Sequence, residues 1–436
     1  MRSISMFKIS DSKKLKNQML NWCSMKDVFA FIDSNGYNKK QTGAASYPDY
    51  DFLAAINALD ILCCNYGHAL NELGNFISHE SDWYFGMMGY DLKNEIESLE
   101  SKNRDQTGFP DLCFFRPELI FLLKSDILEI HYHEGKFNKN EIHKVYCQIM
   151  QMPASSNKTH KQLYLNSRMT KKDYLAKVNA IKKHIFRGDI YEVNFCQEFY
   201  AENVDIAPHV FYQKLADFSP APYASLYRFH NKYLISSSPE RYLLKKGRRV
   251  ISQPMKGTIK RSRDEILDRK LKYKLRLDPK EVAENIMIVD LVRNDLAKTA
   301  LRNSVAVEEL CGIYSYSTVH QMVSTIRSDL NPEFNFIDII KNTFPMGSMT
   351  GAPKFKAMQL IERYEDTKRG IYSGAAGYIT PENDFDFSVI IRSILYNQTN
   401  GYLSFMTGSA ITADSCPEFE YKECYLKAKA VFEALK

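Results

Sequence analysis

Two patterns of apolar residues succeed each other in the middle of the chain. After Thr170-Lys171-Lys172-Asp173, apolar residues recur at intervals of three or four: Tyr174, Val178, Ile181 and Ile185. This spacing predicts an amphipathic helix. Thr170 with Asp173 is typical of a helix start, and Gly188 of a helix end.

Residues 190–199 alternate with a period of two, which predicts a strand. One face is apolar: Tyr191, Val193, Phe195 and Phe199. The other face carries Glu192, Asn194 and Cys196. That face is either the wall of a polar cavity or a solvent-exposed sheet face, and the usual antiparallel pattern favours the exposed face.

The first 150 residues mix short strands, such as residues 128–133, with helical pieces. His131 and His133 alternate on that strand, but no third ligand is near, so we interpret them as solvent-facing. The polar stretch 152–161 has no apolar period and predicts a boundary. We therefore expect an amino-terminal region, 1–152, and a carboxy-terminal region, 165–436.

Composition narrows the function classes. Of 436 residues, 44% are hydrophobic and 25% charged, as in folded proteins. The net charge of +6 is spread too evenly for a nucleic-acid surface. Apolar runs are too short for a membrane span and the start lacks a secretion signal, so we expect a soluble, cytoplasmic chain. We expect the nine cysteines to be reduced packing residues.

Two glutamate pairs have a spacing of three residues on probable helices, so each pair shares one helix face. They are Glu281 with Glu284, and Glu420 with Glu423. If the two faces converge, a divalent cation such as Mg²⁺ would offset their charge. The alternative is two solvated acidic helix faces, which are common.

Two further segments carry candidate chemistry, and a third is excluded. Arg392 lies in an apolar stretch that predicts a strand, on the face of Ile390 and Ile394. Burial there requires either an internal ion pair or a ligand carboxylate. Lys256 lies in Pro254-Met255-Lys256-Gly257-Thr258, where it is either a turn lysine or a nucleophile. The segment 347–354 lacks the spacing of a phosphate-binding loop.

Together these segments resemble the chorismate-utilising enzymes, and among them the large subunits of aminodeoxychorismate synthases. The resemblance follows family order over residues 170–436 and is thinner before residue 150, where it rests on residues 89–92 and 97–99. The matching blocks are 188–194, 238–241, 254–258, 284–296, 344–354 and 420–423.

The resemblance implies an α+β fold in which large antiparallel β-sheets are sandwiched and covered by helices, with Mg²⁺ and chorismate between them. It implies metal ligation by Glu284 and Glu423, with Glu281 and Glu420 beside them. It makes Glu240 the general acid for loss of the ring hydroxyl. The implied substrate-binding positions are Arg392, Tyr372, Lys427, Gly408, Ser348, Gly257 and Thr258.

Lys256 separates two activities of the family. In the aminodeoxychorismate enzymes a lysine in this block is thought to attack C2 of chorismate as the C4 hydroxyl leaves, and ammonia then enters at C4. Anthranilate synthases carry alanine there, and ammonia itself adds at C2. Ser348, where anthranilate synthases usually have threonine, indicates the same activity as Lys256.

We therefore expect amination of chorismate to 4-amino-4-deoxychorismate, toward 4-aminobenzoate and folate. No glutaminase motif surrounds any cysteine, so a separate glutamine amidotransferase subunit is implied, and another protein would release pyruvate. The alternatives are an anthranilate synthase large subunit and a catalytically silent regulatory paralogue. Three positions differ from the family pattern: Gln321 replaces a histidine, Glu192 a glutamine and Ala410 a glycine.

Overall fold

The computed structural model describes residues 2–37, 48–154 and 162–435 of an α+β protein. The strands of these ranges are β1 Ser3–Lys8, β2 Val28–Asp33, β3 Phe52–Cys64, β4 Tyr84–Met88, β5 Leu112–Lys124, β6 Ile127–Tyr132, β7 Asn166–Ser167, β8 Glu192–Ala201, β9 Tyr223–Phe229, β10 Lys232–Ser238, β11 Arg241–Lys246, β12 Arg249–Gln253, β13 Met255–Lys260, β14 Ala306–Ser315, β15 Val319–Asp329, β16 Gly351–Ala352, β17 Ala375–Ile379, β18 Phe385–Val389, β19 Ser393–Asn397 and β20 Tyr402–Ile411.

The helices lie between these strands and at the carboxy-terminal end of the described chain. They are α1 Ser12–Cys23, α2 Ala69–Ser78, α3 Lys93–Glu97, α4 Lys139–Gln151, α5 Lys171–Phe186, α6 Pro208–Phe218, α7 Glu265–Leu277, α8 Pro279–Ala297, α9 Phe336–Thr343, α10 Lys354–Tyr364 and α11 Pro417–Ala434. None of these described helices is long and apolar enough to cross a membrane.

The strands form one antiparallel network with two wings that meet at β5. Strand β3 pairs with β5 along its length, and the first wing continues through β2, β9, β10, β19, β20 and β8. The second wing leaves β5 through β4 and continues through β17, β18, β11, β12 and β15, which also pairs with β13 and β14.

Strand β2 shows how the wings pack. Its alternate residues Val28, Ala30 and Ile32 join a core shared with Phe385 and Phe387 of the second wing. The residues between them, Phe29 and Phe31, join a second core under helices α1, α4, α6 and α11. The first wing is thus buried on both faces, and the predicted sandwich of large antiparallel sheets covered by helices is confirmed.

The predicted boundary does not separate the strands. Strand β2 pairs with β9, and β4 pairs with β17, so both regions contribute to the same sheets. Most of the polar stretch, residues 155–161, lies outside the described residues. The division into 1–152 and 165–436 stays a prediction.

The expectation that all cysteines are reduced is wrong for one pair. Cys63 and Cys113 form a disulfide, because they lie directly opposite each other on β3 and β5. No local pattern reveals partners fifty residues apart. The described cysteines outside this pair are free.

The interpretation of two histidines as solvent-facing is also wrong. His131 is half-buried and lies 2.9 Å from the Glu129 carboxylate. His133 lies 3.1 Å from Asp82. Each ring thus has a carboxylate partner, Glu129 on the same strand and Asp82 just before β4.

Candidate active site

A polar site lies where β8 and β13 meet helices α8 and α11. Helix α8 begins after Asp278, whose side chain accepts hydrogen bonds from the backbone N–H groups of Lys280 and Glu281. Helix α11 begins at Pro417, a residue that is favourable in the first turn. Both helices start close to the predicted glutamate pairs, so the pairs lie in their first two turns.

The two glutamate pairs lie on neighbouring helices, and one lysine links these helices. The Nζ of Lys280 on α8 lies 3.7 Å from Glu284 Oε1 and 3.3 Å from Glu420 Oε1 of α11. Glu423 pairs with Lys427 at 2.7 Å. The interpretation of the pairs as solvated helix faces is wrong for Glu284 and Glu420, which are only 6% and 2% exposed.

Burial perturbs these carboxyl groups. It raises the pKa of Glu284 to about 7, and Glu192 adds to this effect, although Lys256 opposes it. Burial and the neighbouring Glu423 raise the pKa of Glu281. Burial would also raise the pKa of Glu423, but Lys427, Lys280 and Lys256 together outweigh it and the net shift is downward.

The donor set fits a hard divalent cation. Glu284 Oε1 and Glu420 Oε2 are buried oxygens without a hydrogen-bond donor, and carboxylate oxygens are the ligands that Mg²⁺ prefers. No three acidic, histidine or cysteine side chains converge into a metal centre within the ranges that the structure describes. Cation binding would therefore require these side chains to move closer together.

Lys256 lies inside the site, on β13. Its Nζ donates a hydrogen bond of 2.6 Å to Oε1 of Glu192 on β8. Burial alone would lower the pKa of Lys256, but the carboxylates of Glu192, Glu284 and Glu240 outweigh it, so the pKa is raised. The amine is therefore an ion-paired ammonium in this state.

Strand β8 contributes its polar face to the cavity. Glu192, Asn194 and Cys196 are all buried, at 0%, 7% and 0% exposure. The prediction that favoured a solvent-exposed face is wrong, because Lys256, Met349 and Tyr372 cover this face. The Oε2 of Glu192 has no hydrogen-bond partner.

Glu240 follows strand β10 and is buried. Its Oε1 accepts a hydrogen bond of 2.6 Å from the Ser348 hydroxyl. Burial raises the pKa of Glu240 to about 7, although the Ser348 hydrogen bond and the Lys256 charge lower it in part. A carboxyl group with this pKa can hold a proton near neutral pH and release it to a leaving group.

Arg392 is a cation without an ion pair. Strand β18 ends at Val389 and β19 begins at Ser393, so Arg392 lies in a break between strands with φ of +51°. The predicted continuous strand is wrong at this point. Burial lowers the Arg392 pKa, although Tyr316 and Glu240 oppose this shift. Its guanidinium makes no ion pair or hydrogen bond to any described residue, as a ligand-binding arginine requires.

Tyr372, Gly408 and Lys427 lie around Cys196. The Tyr372 hydroxyl is 3.8 Å from Cys196 Sγ. A Cβ at Gly408 would lie 2.5 Å from the same sulfur, so only glycine fits opposite β8. Lys427 of α11 donates a hydrogen bond of 2.9 Å to the carbonyl of Gly408, which lies on β20, and so links β20 to α11.

Gly257 and Thr258 follow Lys256 and differ in their positions. Gly257 has φ of +78°, and a Cβ there would lie 2.9 Å from Glu281 Oε2. The turn after Lys256 therefore lies directly against helix α8. Thr258 is exposed and lies opposite Gln321, so its side chain is less enclosed than the other predicted site residues.

Sequence reasoning missed two groups at the site. Nothing in the sequence around Lys280 indicates a role at the site, because that role depends on α8 and α11 facing each other. Arg369 is buried and bonds to Glu365 and to the backbone of Asn194 and Met349. This network supports β8 from the side of α10, and its residues are too dispersed in sequence to be recognised.

The comparisons identify the family of this site. A family model for chorismate binding enzymes matches residues 30–433, and the chain belongs to that family. A crystal structure of anthranilate synthase component I from Streptococcus pneumoniae has a TM-score of 0.78 at 24% identity, covering 90% of this chain and 93% of that one. This likeness supports the chorismate-utilising fold.

Individual relatives carry two different names. A probable chloroplastic aminodeoxychorismate synthase from Oryza sativa is 34% identical over 80% of this chain and 42% of its own length. Aminodeoxychorismate synthase component 1 from Bacillus subtilis is 31% identical over 80% of this chain and 76% of its own length. Anthranilate synthase component 1 from Aquifex aeolicus is 33% identical over 80% of this chain and 74% of its own length. The chain spans about two fifths of the length of the plant relatives.

Proposed function

We propose that this protein aminates chorismate at C4, producing 4-amino-4-deoxychorismate. The observation that carries the proposal is the amine of Lys256, whose side chain is only 10% exposed and which lies 2.6 Å from Glu192 and within electrostatic reach of Glu284 and Glu240. An amine among these carboxyl groups is placed to act on the substrate, which an exposed turn lysine is not.

The substrate's carboxylates define its orientation in this proposal. The Arg392 guanidinium has no ion pair with the residues that the structure describes and would receive one carboxylate. Tyr372, Lys427 and the backbone around Gly408 would hold the other end, beside Ser348. The ring would then lie between Lys256 and Glu240, with its hydroxyl toward Glu240.

Bond formation and loss then balance as follows. The neutral Lys256 amine attacks C2, the ring double bonds shift, and the C4–O bond breaks as Glu240 protonates the departing hydroxyl to water. Ammonia next forms a bond to C4, the double bonds shift back, and the C2–N bond to Lys256 breaks. Covalent catalysis thus replaces one difficult displacement by two easier ones.

Lys256 must lose a proton before it attacks, and Glu192 is the acceptor nearest to it. The Glu192 carboxylate is buried and already hydrogen-bonded to the ammonium. Transfer along this hydrogen bond would give a neutral amine and a neutral carboxyl group. A positioned base of this kind typically contributes about 10²–10⁴-fold to a rate.

Glu284 and Glu423, with Glu281 and Glu420 beside them, would hold Mg²⁺. The cation would supply charge neutralisation for a substrate carboxylate next to the glutamates. The buried oxygens of Glu284 and Glu420 that lack donors support this assignment. Ammonia would come from a separate glutamine amidotransferase subunit.

Anthranilate formation is the second candidate, since anthranilate synthase component 1 proteins are as similar to this chain as the aminodeoxychorismate synthases. Lys256 argues against it, because its side chain would occupy space that ammonia needs beside C2.

Incubation of the purified protein with chorismate, Mg²⁺ and an ammonium salt separates the candidates. We expect a 4-amino product that an added lyase converts to 4-aminobenzoate. Fluorescent anthranilate would instead identify an anthranilate synthase. Unaltered chorismate would indicate a silent paralogue and contradict the proposal.

A further inference from the structure

Lys280 occupies a particular place between the two glutamate-bearing helices. Its Nζ hydrogen-bonds to Glu420 Oε1 of α11 at 3.3 Å and lies 3.7 Å from Glu284 Oε1 of its own helix. Among the described residues, it is the one lysine that forms ion pairs with glutamates of both helices. It therefore holds α8 and α11 together across the acidic site.

The remaining lysines of the site are engaged elsewhere. Lys256 pairs with Glu192, and Lys427 pairs with Glu423. Lys280 is thus the lysine that forms ion pairs with both Glu284 and Glu420, whose side chains are 8% and 3% exposed, while Lys256 adds to the compensation of Glu284. Without it, two buried carboxylates would face each other across the helix interface, which is electrostatically costly.

The compensation is incomplete, and the lysine is free to leave. Glu284 Oε1 and Glu420 Oε2 are buried and have no hydrogen-bond donor. The Lys280 side chain itself is 40% exposed, and a long, flexible ammonium side chain reorients toward water at low cost. Mg²⁺ binds carboxylate oxygens at about 2.0–2.1 Å, much closer than the 3.7 Å that separates the ammonium from Glu284 Oε1.

We propose that Lys280 is a built-in counter-ion that occupies the cation site in the unliganded protein and is displaced when Mg²⁺ binds. The inference rests on the metal site of the proposed function. It makes Lys280 a positioning residue, which keeps the glutamates together before the cation arrives and competes with that cation for them.

The test is binding of MgCl₂ alone, without chorismate, measured by isothermal titration calorimetry. Lys280→Met keeps the length of the side chain but removes its charge, so we expect the Kd for Mg²⁺ to fall about two- to fivefold, as for loss of a partly exposed ion pair. Lys280→Arg keeps the charge and should bind like the original protein.

Lys272→Met is the matched control. Lys272 is exposed on α7 and forms no ion pair with a described residue, so its replacement removes a charge without touching the glutamates. We expect its Kd to stay unchanged. Titration with Mn²⁺, followed by electron paramagnetic resonance, provides a second measurement. We expect it to rank the affinities of the proteins in the same order.

Thermal melting provides a readout that distinguishes competition from a purely structural role. Without metal, Lys280→Met should melt below the original protein, because two carboxylates lose their counter-ion. In saturating Mg²⁺ the difference should disappear, because the cation then neutralises the glutamates in both proteins and Lys280 of the original protein no longer pairs with them. A difference that persists in Mg²⁺ would overturn the inference.

The calorimetric outcomes are equally decisive. An unchanged or weaker Kd in Lys280→Met overturns the inference, and absence of Mg²⁺ binding in every protein overturns both it and the metal site. Formation of anthranilate by the unaltered protein refutes the proposed reaction alone, because the Mg²⁺ titrations are performed without substrate.

Discussion

At the scale of single residues, Glu240 combines burial with a pKa of about 7. It is protonated below that pH and ionised above it, so a step that needs its proton slows as the pH rises through about 7. We expect Glu240→Gln to reduce 4-amination at least about 10²-fold and to abolish this alkaline decline. Steady-state rates between pH 6 and 9 check it.

Ser348→Ala is the companion variant for this profile. The Ser348 hydroxyl donates to the Glu240 carboxylate and favours its charged form, so its removal should raise the Glu240 pKa. The alkaline decline should then move to higher pH. A decline that survives unchanged in Glu240→Gln would assign it to another group.

Glu192 is proposed both to hold Lys256 as an ammonium and to accept its proton. In Glu192→Gln the carboxylate that most strongly raises the Lys256 pKa is gone. We expect an amine-selective acylating reagent to label Lys256 faster, while 4-amination falls about 10²-fold or more because the base is lost. Peptide mass spectrometry and product assays measure the two effects. Faster amination would contradict the role of Glu192.

The sequence indicates which residues belong to the candidate site better than it indicates what surrounds them. Lys256 and the glutamate pairs are visible as spacing, but the ion pair of Lys256 with Glu192 joins strands far apart in the chain. Arg392 was expected on a strand because its neighbours are apolar. Arg392 instead has a positive φ between β18 and β19. The spacing of hydrophobic residues does not predict such a backbone conformation.

At the scale of elements, the start of α8 sets the position of Glu281 and Glu284. Asp278 caps this helix by accepting two backbone hydrogen bonds. We expect Asp278→Ala to lower the free energy of unfolding by about 1 kcal/mol, and Asp278→Ser to retain most of it, because serine also caps. Urea unfolding midpoints measure both. Equal midpoints for all three proteins would contradict the cap's contribution.

Helix α5 illustrates what sequence patterns predict well. Its cap at Thr170 and its buried stripe of Tyr174, Val178 and Ile181 agree with the structure, because capping and helical period are local properties. The pattern also predicts strand β8 within two residues, yet it favours a solvent-exposed polar face. Which face of a strand is covered depends on segments that are distant in the sequence. The alternation of polar and apolar residues does not reveal where those segments pack.

At the scale of the whole molecule, the two wings of the sheet bring residues from β8, β13, α8 and α11 to one site. The family resemblance implied this architecture, whereas composition alone indicated only a folded protein. The Cys63–Cys113 disulfide was missed for the related reason that its partners meet through sheet register. Long-range register is the part of the fold that local patterns do not encode.

The proposed source of ammonia is a separate subunit. We expect the protein alone to use ammonium salts and not glutamine, and to use glutamine once a glutamine amidotransferase subunit is added. Product formation from each nitrogen donor, with and without that subunit, measures this dependence. Turnover of glutamine by the chain alone would contradict the need for a partner.

The most direct test of the account is to trap the bond between Lys256 and the substrate. The protein is mixed with chorismate and Mg²⁺ without ammonia, quenched in acid, digested and analysed by mass spectrometry. We predict that the peptide containing Lys256 gains the mass of chorismate minus one water, and that Lys256→Ala gains none and loses 4-amination. Undiminished 4-amination by Lys256→Ala would contradict the central claim.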